Sequence, residues 1–191
     1  MKKDIILAGV GGQGILSIAA IIGYAALEDG LFLKQSEVHG MSQRGGDVSS
    51  NLRIASNEIY SDLIPKGKAD LVISVEPMEA LRYLPMLSQQ GWLITSTNPF
   101  VNIPNYPDIN TILAAVKAQP NHVALDAEGI AKQLKAPKSA NMVILGAASP
   151  YLDITFEKLQ NAIRAIFKSK GDDVVETNLA ALQAGRDFKE Q

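Results

Sequence analysis

The sequence predicts an α/β fold: a three-layer α/β/α, Rossmann-like domain with a mostly parallel, mixed sheet and a helical C-terminal third. Three observations support this prediction. Short apolar runs alternate with helical segments over residues 5–136, which is the pattern of parallel strands joined by crossover helices. A glycine-rich turn joins the first strand to the first helix, and successive helical segments follow from residue 139. No repeat or linker divides the chain, so a single domain is expected over residues 1–191.

The first strand and helix are predicted at residues 5–9 and 15–28. The strand is a short apolar run that ends at a glycine, and the helix carries small residues suited to close packing on a sheet. Asp29 and Gly30 end the helix, and a second strand follows at 31–37. Strand, helix and strand within about 30 residues form a βαβ unit, whose parallel strands need such a crossover.

A polar, glycine-bearing segment at 38–50 leads into two β-prone runs separated by Asn57 and Glu58. This pattern predicts a hairpin over residues 49–62. Because a hairpin pairs antiparallel strands, the sheet is expected to be mixed.

The rest of the chain alternates strands with helices and then becomes helical. Strands are predicted at 69–76, 91–97 and 121–127. Helices are predicted at 77–87, 109–119 and 128–136, and then at 139–153, 155–170 and 172–191. Pro77 stands in the first turn of its helix, where its missing N–H costs nothing.

Composition argues against several classes of function. The net charge is −2 and the pI is near 5.7, whereas nucleic-acid-binding domains gather excess Lys and Arg. The chain has no cysteine, so it holds no disulfide and no thiolate-ligated iron–sulfur cluster. Two histidines, His39 and His122, argue against a histidine-based metal site. No run of about 18 apolar residues is present, so no membrane span is expected, and the expected location is the cytoplasm.

Four glycines lie within residues 9–14, and three of them match the pattern G-x-G-x-x-G. Such glycines allow a tight turn, bring backbone N–H groups close to a phosphate and let the helix pack on the strand. The N-terminus of the helix adds a partial positive charge. No Lys-Ser or Lys-Thr pair follows, so the P-loop interpretation fails. Two interpretations stay open: the glycines serve the turn alone, or a phosphate or nucleotide is bound by Gly9, Gly11, Gly12, Gln13 and Gly14.

Glu37, near the end of the second strand, stands where a dinucleotide fold has its ribose-binding acid. Residues 37–46 do not fit a nicotinamide enzyme, however, because they form a polar loop in place of a short turn and a helix. Arg44, followed by Gly45 and Gly46, suits an oxyanion or an acidic partner. The alternative is a solvated surface loop.

These segments together resemble a known family, the gamma subunit or domain of the 2-oxoacid:ferredoxin oxidoreductases, which includes the pyruvate and ketoisovalerate enzymes. The resemblance is carried by GVGGQGILSIAAIIGYAAL, SEVHGMSQRGGDVSSNLRI and ADLVISVEPMEALRYLPML, in this order and spacing. NMVILGAAS extends it, so that it covers residues 4–150. Within the family, the chain most resembles the beta subunit of the indolepyruvate ferredoxin oxidoreductase type.

The resemblance implies an activity and a division of labour. The complete enzyme is implied to decarboxylate a 2-oxoacid oxidatively, either an aryl pyruvate such as indolepyruvate or another 2-oxoacid, to an acyl-CoA and CO2. A larger alpha subunit is implied to carry thiamine diphosphate with Mg²⁺ and the [4Fe–4S] clusters, which pass electrons to ferredoxin. A chain without cysteine agrees with that division. The isolated chain is expected to be inactive and to be able to form a homodimer.

The resemblance also implies a site. The 9–14 loop would meet a phosphate-bearing group, namely coenzyme A, and the 37–46 loop would face the alpha subunit. This expected active-site interface comprises Glu37, Ser42, Arg44, Gly45 and Gly46. No catalytic residue is assigned on this chain; His39 is a candidate for proton transfer, with a plain surface histidine as the alternative. The C-terminal helices add no recognisable chemistry.

Two other classes of function stay open: a stand-alone NAD(P)-dependent dehydrogenase and a solitary nucleotide-sensing module. Two further features have alternative roles. Glu76, with Pro77 and Glu79, opens a helix after a strand, where a carboxylate either faces a ligand or matches the helix dipole. The proline-rich loop at residues 98–108 either carries binding groups or seals a subunit interface.

Overall fold

The computed structural model describes residues 1–40 and 45–189. Within that part of the chain, one sheet contains six strands: β1 (Lys2–Val10), β2 (Phe32–His39), β3 (Asp47–Ala55), β4 (Ala69–Ser74), β5 (Leu87–Ser96) and β6 (His122–Leu125). Their order is β2-β3-β1-β4-β5-β6. Strands β1, β4, β5 and β6 pair in parallel, whereas β3 is antiparallel to both of its neighbours. The prediction of a mostly parallel, mixed sheet is confirmed.

The helices follow the predicted order. They are α1 (Ile15–Glu28), α2 (Pro77–Tyr83), α3 (Ile109–Lys117), α4 (Ala127–Gln133), α5 (Ala140–Ala148), α6 (Phe156–Phe167) and α7 (Asp172–Asp187). The bounds of α1 agree with the prediction. No helix of the described residues is both long and apolar enough to cross a membrane.

Both faces of the sheet are covered, because side chains along each strand point alternately to opposite faces. On one face, Ile5 and Leu7 of β1 belong to a large buried cluster that includes residues of α1 and of α4 to α7. On the other face, Ile6 belongs to a smaller cluster with Ala80 of α2 and Val116 of α3. The three-layer prediction is therefore confirmed.

The predicted βαβ unit is present, because β1 and β2 are both antiparallel to β3 and therefore run parallel to each other. Strand β3 lies between them. One local prediction, the hairpin over residues 49–62, is wrong. The hairpin is formed by β2 and β3, with Phe32 opposite Ala55 and His39 opposite Val48, and not by two runs within 49–62. The reason is burial: β3 is a central strand with two partners, whereas the segment after it is largely exposed, with Tyr60 86% exposed.

The chain reverses its direction of travel across the sheet between β1 and β4. After β1 it turns towards β2 and β3, and after β4 it continues towards β5 and β6. The carboxyl ends of β1 and β4, at Val10 and Ser74, therefore lie side by side. In open α/β sheets a crevice forms at such a switch point, and ligands bind there. The glycine loop predicted from the sequence begins at this position.

A buried ion pair fixes the opposite end of β1. The carboxylate of Asp4, 1% exposed, accepts hydrogen bonds from Arg53 Nε at 2.8 Å and Nη2 at 3.1 Å, and Lys2 Nζ lies 2.8 Å away. Burial alone would raise the pKa of Asp4, but the hydrogen bonds and charges of Arg53 and Lys2 outweigh it and hold that pKa below its ordinary value.

We expect Asp4→Asn to lower the free energy of unfolding by about 3 kcal/mol at pH 7, because it breaks a buried pair. A depressed pKa stabilises the folded state above the unfolded-state pKa, about 3.9, and that stabilisation is lost as the pH falls through the folded-state pKa. Urea unfolding between pH 7 and pH 3 should therefore show the two proteins converging in acid. The exposed pair Glu128–Lys132 provides a control, since Glu128→Gln should cost under about 1 kcal/mol. If the difference in unfolding free energy between the wild type and Asp4→Asn does not vary with pH, the prediction is wrong.

Candidate functional site

Two of the predicted glycines serve packing and the turn. A Cβ on Gly9 would lie 2.5 Å from Val75 Cγ2 and 2.8 Å from Ile15 Cδ1, so the end of β1 can approach its neighbours only without a side chain. Gly14 caps α1 in the left-handed region, at φ 80°, and a Cβ there would overlap the Asn141 amide. For these two positions the turn interpretation is sufficient.

Gly12 is different. It has φ 102°, and a Cβ there would meet no heavy atom within 4 Å. Its backbone is therefore open on the outer side of the loop, next to the first turn of α1. N–H groups of a first turn have no acceptor within their own helix and attract anions. Gly12 is thus the point of the loop that a phosphate can approach.

Gly11 connects the glycine loop to the β2–β3 hairpin. Its N–H donates to the carbonyl oxygen of Gly46 at 2.9 Å, and its carbonyl oxygen accepts from the N–H of Gly45 at 3.4 Å. The side-chain amide of Asn102 donates to the carbonyl oxygen of Gly45 at 2.6 Å. The glycine loop, the hairpin end and the proline-rich loop therefore meet.

A cavity of about 610 Å³ lies between the glycine loop and the hairpin. We call it the histidine-side cavity. It is lined by Val10, Gly11, Gly12, Gly14, Ile15, Leu16, His39, Gly40 and Val48. The structure thus brings His39 beside three of the four predicted glycines. His39 Nε2 lies 3.2 Å from Glu37 Oε1, an ion-pair distance, although no described residue gives that buried oxygen an aligned hydrogen bond.

Two predicted site residues, Ser42 and Arg44, fall in 41–44, outside the described residues. Gly45 and Gly46 contact the glycine loop through backbone atoms. Gln13 folds back on the loop, where its Oε1 accepts the N–H of Val10 at 2.8 Å. Gln13 therefore stabilises the turn with this oxygen.

A second cavity, of about 590 Å³, lies on the other side of the glycine loop. We call it the lysine-side cavity. Its lining includes Gly12, Gln13, Gly14, Lys135, Lys138 and Lys170. Helix α5 is bonded to the glycine loop on this side, because the side-chain amide of Asn141 donates to the Gly14 carbonyl oxygen at 3.1 Å. The sequence analysis missed these residues, since none of the lysines stands in a motif.

Glu76 positions the proline-rich loop and lines neither of these two cavities. It is fully buried and caps α2, where its Oε2 accepts the N–H of Glu79 at 2.8 Å. Its Oε1 accepts the N–H of Phe100 at 3.3 Å and a short hydrogen bond from the Tyr106 hydroxyl. Of the two roles expected for Glu76, the contacts favour the helix-capping one. Burial, followed by the contact with Glu76, raises the pKa of Tyr106, so this phenol remains a donor at neutral pH.

The carboxylates of Asp47, at the start of β3, and Glu79, on α2, lie close enough to affect each other's charge. Burial raises the pKa of Glu79, and the nearby Asp47 carboxylate acts in the same direction, while a hydrogen bond from Arg82 opposes them. The Tyr83 hydroxyl donates to Asp47 Oδ2 at 2.9 Å, and burial raises the pKa of Tyr83 to about 12. Among the residues that the structure describes, no group of three or more His, Cys, Asp or Glu side chains is arranged to hold a metal ion.

Comparisons with known proteins agree with the resemblance seen in the sequence. Residues 4–188 match the family described as pyruvate ferredoxin/flavodoxin oxidoreductase. Indolepyruvate oxidoreductase subunit IorB of Methanothermobacter thermautotrophicus is 38% identical over 194 residues, covering 97% of this chain and 96% of that protein.

Solved structures show the same fold at lower identity. The pyruvate oxidoreductase subunit PORC of Thermotoga maritima has a TM-score of 0.72 at 21% identity, covering 96% of this chain and 94% of that one. The 2-oxoglutarate:ferredoxin oxidoreductase of Magnetococcus marinus, with 2-oxoglutarate, coenzyme A and succinyl-CoA bound, has a TM-score of 0.75 at 23% identity, covering 97% of this chain and 30% of that one. The matches do not support a stand-alone dehydrogenase or a sensing module. The chain belongs to the pyruvate ferredoxin/flavodoxin oxidoreductase family.

Proposed function

We propose that this chain is the smaller subunit of an indolepyruvate-type 2-oxoacid:ferredoxin oxidoreductase. The complete enzyme would convert an aryl pyruvate and coenzyme A to an acyl-CoA and CO2 and reduce ferredoxin. The relative at 38% identity, an indolepyruvate oxidoreductase subunit matched over nearly its whole length, supports this substrate class.

Thiamine diphosphate, Mg²⁺ and the [4Fe–4S] clusters would reside on the larger alpha subunit. Protein-bound [4Fe–4S] clusters are held by cysteine thiolates, and this chain has no cysteine. Its own contribution would be to bind coenzyme A and to complete the surface of the reaction centre.

The observation that carries the coenzyme A proposal is the open backbone of Gly12 between two cavities. A phosphate group fits there because the approach is free of side chains and the N-terminus of α1 is electropositive. The Magnetococcus marinus enzyme, which shares the fold, is described with coenzyme A bound. His39, at the wall of the histidine-side cavity, would be placed to accept a proton from the thiol.

The hairpin end would form the contact with the alpha subunit. Glu37, Gly45 and Gly46, together with Ser42 and Arg44, belong to this segment. Exposed apolar side chains lie on the neighbouring proline-rich loop, at Phe100, Val101 and Ile103. Exposed apolar patches rimmed by polar groups are typical of protein interfaces.

We expect Leu16→Glu to weaken coenzyme A binding at least tenfold while the chain stays folded. Leu16 is 46% exposed and lines the histidine-side cavity, and a carboxylate there would repel an anionic ligand. The new charge lies in the first turn of α1, where it favours the helix. Isothermal titration of the full complex with coenzyme A, alongside thermal unfolding, measures both effects.

Leu27→Glu is the matched control, because Leu27 lies on the same helix, is 59% exposed and lines neither cavity. It should bind coenzyme A as the wild type does. Equal affinity in the wild type and Leu16→Glu would count against the site. Reduction of NAD by the isolated chain would instead support a dehydrogenase.

A further inference from the structure

We infer that coenzyme A crosses Gly12 in one direction, with its phosphate groups in the lysine-side cavity and its thiol end in the histidine-side cavity. This inference rests on the proposed function and adds the orientation of the ligand and the residues that set it. It assigns a binding role to Lys135, Lys138 and Lys170, which lie in the C-terminal third of the chain.

Charge distinguishes the two cavities. Lys135, Lys138 and Lys170 line the lysine-side cavity, and none of them forms an ion pair with another described residue. Asp173 is the acidic residue among the described lining. A chain with a net charge of −2 therefore concentrates positive charge beside its glycine loop. Lysine ammonium groups bind phosphate as flexible point charges.

The geometry of the lysine-side cavity supports this assignment. Lys170 lies over the ring of Phe167, at 5.1 Å from its centroid, which holds its charged end at the cavity wall. Lys135 and Lys138 come from the segment between α4 and α5. Gly12, Gln13 and Gly14 line the same cavity, so the lysines and the start of α1 border one space.

The histidine-side cavity has the opposite character. Val10, Ile15, Leu16 and Val48 supply apolar side chains to its wall, and no Lys or Arg of the described residues lines it. An uncharged, flexible arm that ends in a thiol suits such a wall, because burying it there costs little desolvation. His39 is the titratable side chain on this wall, which places it near the end of the arm.

Gly12 joins the two cavities. It lines both of them, and its open outer side leaves space for a ligand to pass across the loop. A ligand with phosphates at one end and an apolar arm at the other therefore has one orientation that matches both walls. The reverse orientation would bury phosphates against apolar side chains and leave the lysines without a partner.

The test is isothermal titration of the full two-subunit complex with three probes: coenzyme A, dephospho-coenzyme A and pantetheine. For the wild type we expect coenzyme A to bind tightest, dephospho-coenzyme A more weakly, and pantetheine weakest. For Lys135→Gln/Lys138→Gln we expect coenzyme A affinity to fall about 100-fold, at roughly tenfold for each charge-assisted hydrogen bond. The affinity for pantetheine should not change. Raising the salt concentration should reduce the difference between the two proteins.

Lys168→Gln is the matched control, because Lys168 is an exposed lysine two residues from Lys170 and lines neither cavity. It should behave as the wild type does. If the wild type binds none of the probes, the proposed function fails. If coenzyme A binds but the double variant binds it as tightly, the proposed function stands and the orientation is wrong. If the double variant loses pantetheine and coenzyme A equally, the lysines do not hold the phosphates.

Discussion

Gly185→Ala is expected to lower the free energy of unfolding by about 3 kcal/mol or more, the upper end for overpacked cores. Helices α5 and α7 cross with their backbones in contact. A Cβ on Gly185 of α7 would overlap the carbonyl oxygen of Val143 on α5, and a Cβ on Gly146 of α5 would overlap the carbonyl oxygen of Leu182 on α7. Because the obstacles are backbone atoms and not side-chain ends, the helices can accommodate a methyl group only by separating.

Urea unfolding followed by circular dichroism measures this loss, and Gly146→Ala should show a similar one. Gly23→Ala on α1 is the matched control, since Gly23 is also helical and its Cβ would meet only the flexible end of Leu33, at 3.1 Å. There the better helix propensity of alanine, worth about 1 kcal/mol, offsets the tight contact. An unfolding free energy of Gly185→Ala equal to that of the wild type would show that the crossing is not tight.

The helix crossing also supports the site. Asn141 at the start of α5 holds the Gly14 carbonyl oxygen, and α7 supplies part of the lysine-side cavity. A displacement of the two helices would therefore move the part of the lysine-side cavity that lies next to the glycine loop. If Gly146→Ala or Gly185→Ala still folds, we expect the variant to bind coenzyme A less tightly. Neither Gly146 nor Gly185 lines either cavity, so the effect would come from the displaced helices.

Local signals in the sequence are sufficient to predict the helices and strands whose ends are marked by neighbouring residues. Helix α1 could be placed because Gly14 and Asp29 mark its two ends, and strands β1 and β4 because they are apolar runs bounded by turn residues. Strand neighbours could not be predicted in the same way. A pattern identifies a strand and its buried faces but not its partner, so the insertion of β3 between β1 and β2 was missed.

The same distinction applies to the site. The glycine loop is a local motif and was predicted, whereas its surroundings depend on contacts between distant segments. His39 lines the same cavity as Gly12 because β2 pairs with β3, and Gly11 bonds Gly46 because β3 also pairs with β1. Lys138 and Asn141 reach the loop through the packing of α5, more than a hundred residues further along the chain. No local pattern marks residues that the tertiary fold alone brings together.

Glu76→Ala is expected to lower the free energy of unfolding by about 3 to 5 kcal/mol, because it removes the acceptor of three buried or partly buried donors at once. The N–H groups of Glu79 and Phe100 and the Tyr106 hydroxyl would each lose their acceptor. Tyr106→Phe should cost only about 1 kcal/mol, since it removes a single hydrogen bond. Urea unfolding of the two variants compares these losses.

The matched control is Asp108→Ala on α3. Asp108 is also a helix N-cap, accepting the N–H of Thr111 at 3.1 Å, but it is exposed, so its loss should cost about 1 kcal/mol. If the two N-cap variants cost the same, Glu76 does no more than cap its helix. A larger cost at Glu76 would show that its contacts with the proline-rich loop add to the stability.

Amide hydrogen exchange tests which part of the structure loosens in Glu76→Ala. Glu76 ties Phe100 and Tyr106 to the carboxyl end of β4, and Asn102 between them bonds the Gly45 carbonyl oxygen at the hairpin end. Exchange should therefore accelerate first in the proline-rich loop and at Gly45, while β1 and β4 stay protected. Since both loops belong to the surface proposed to meet the alpha subunit, subunit association should weaken in parallel. Faster exchange spread evenly over the sheet would mean that Glu76 stabilises the core alone and does not position the interface.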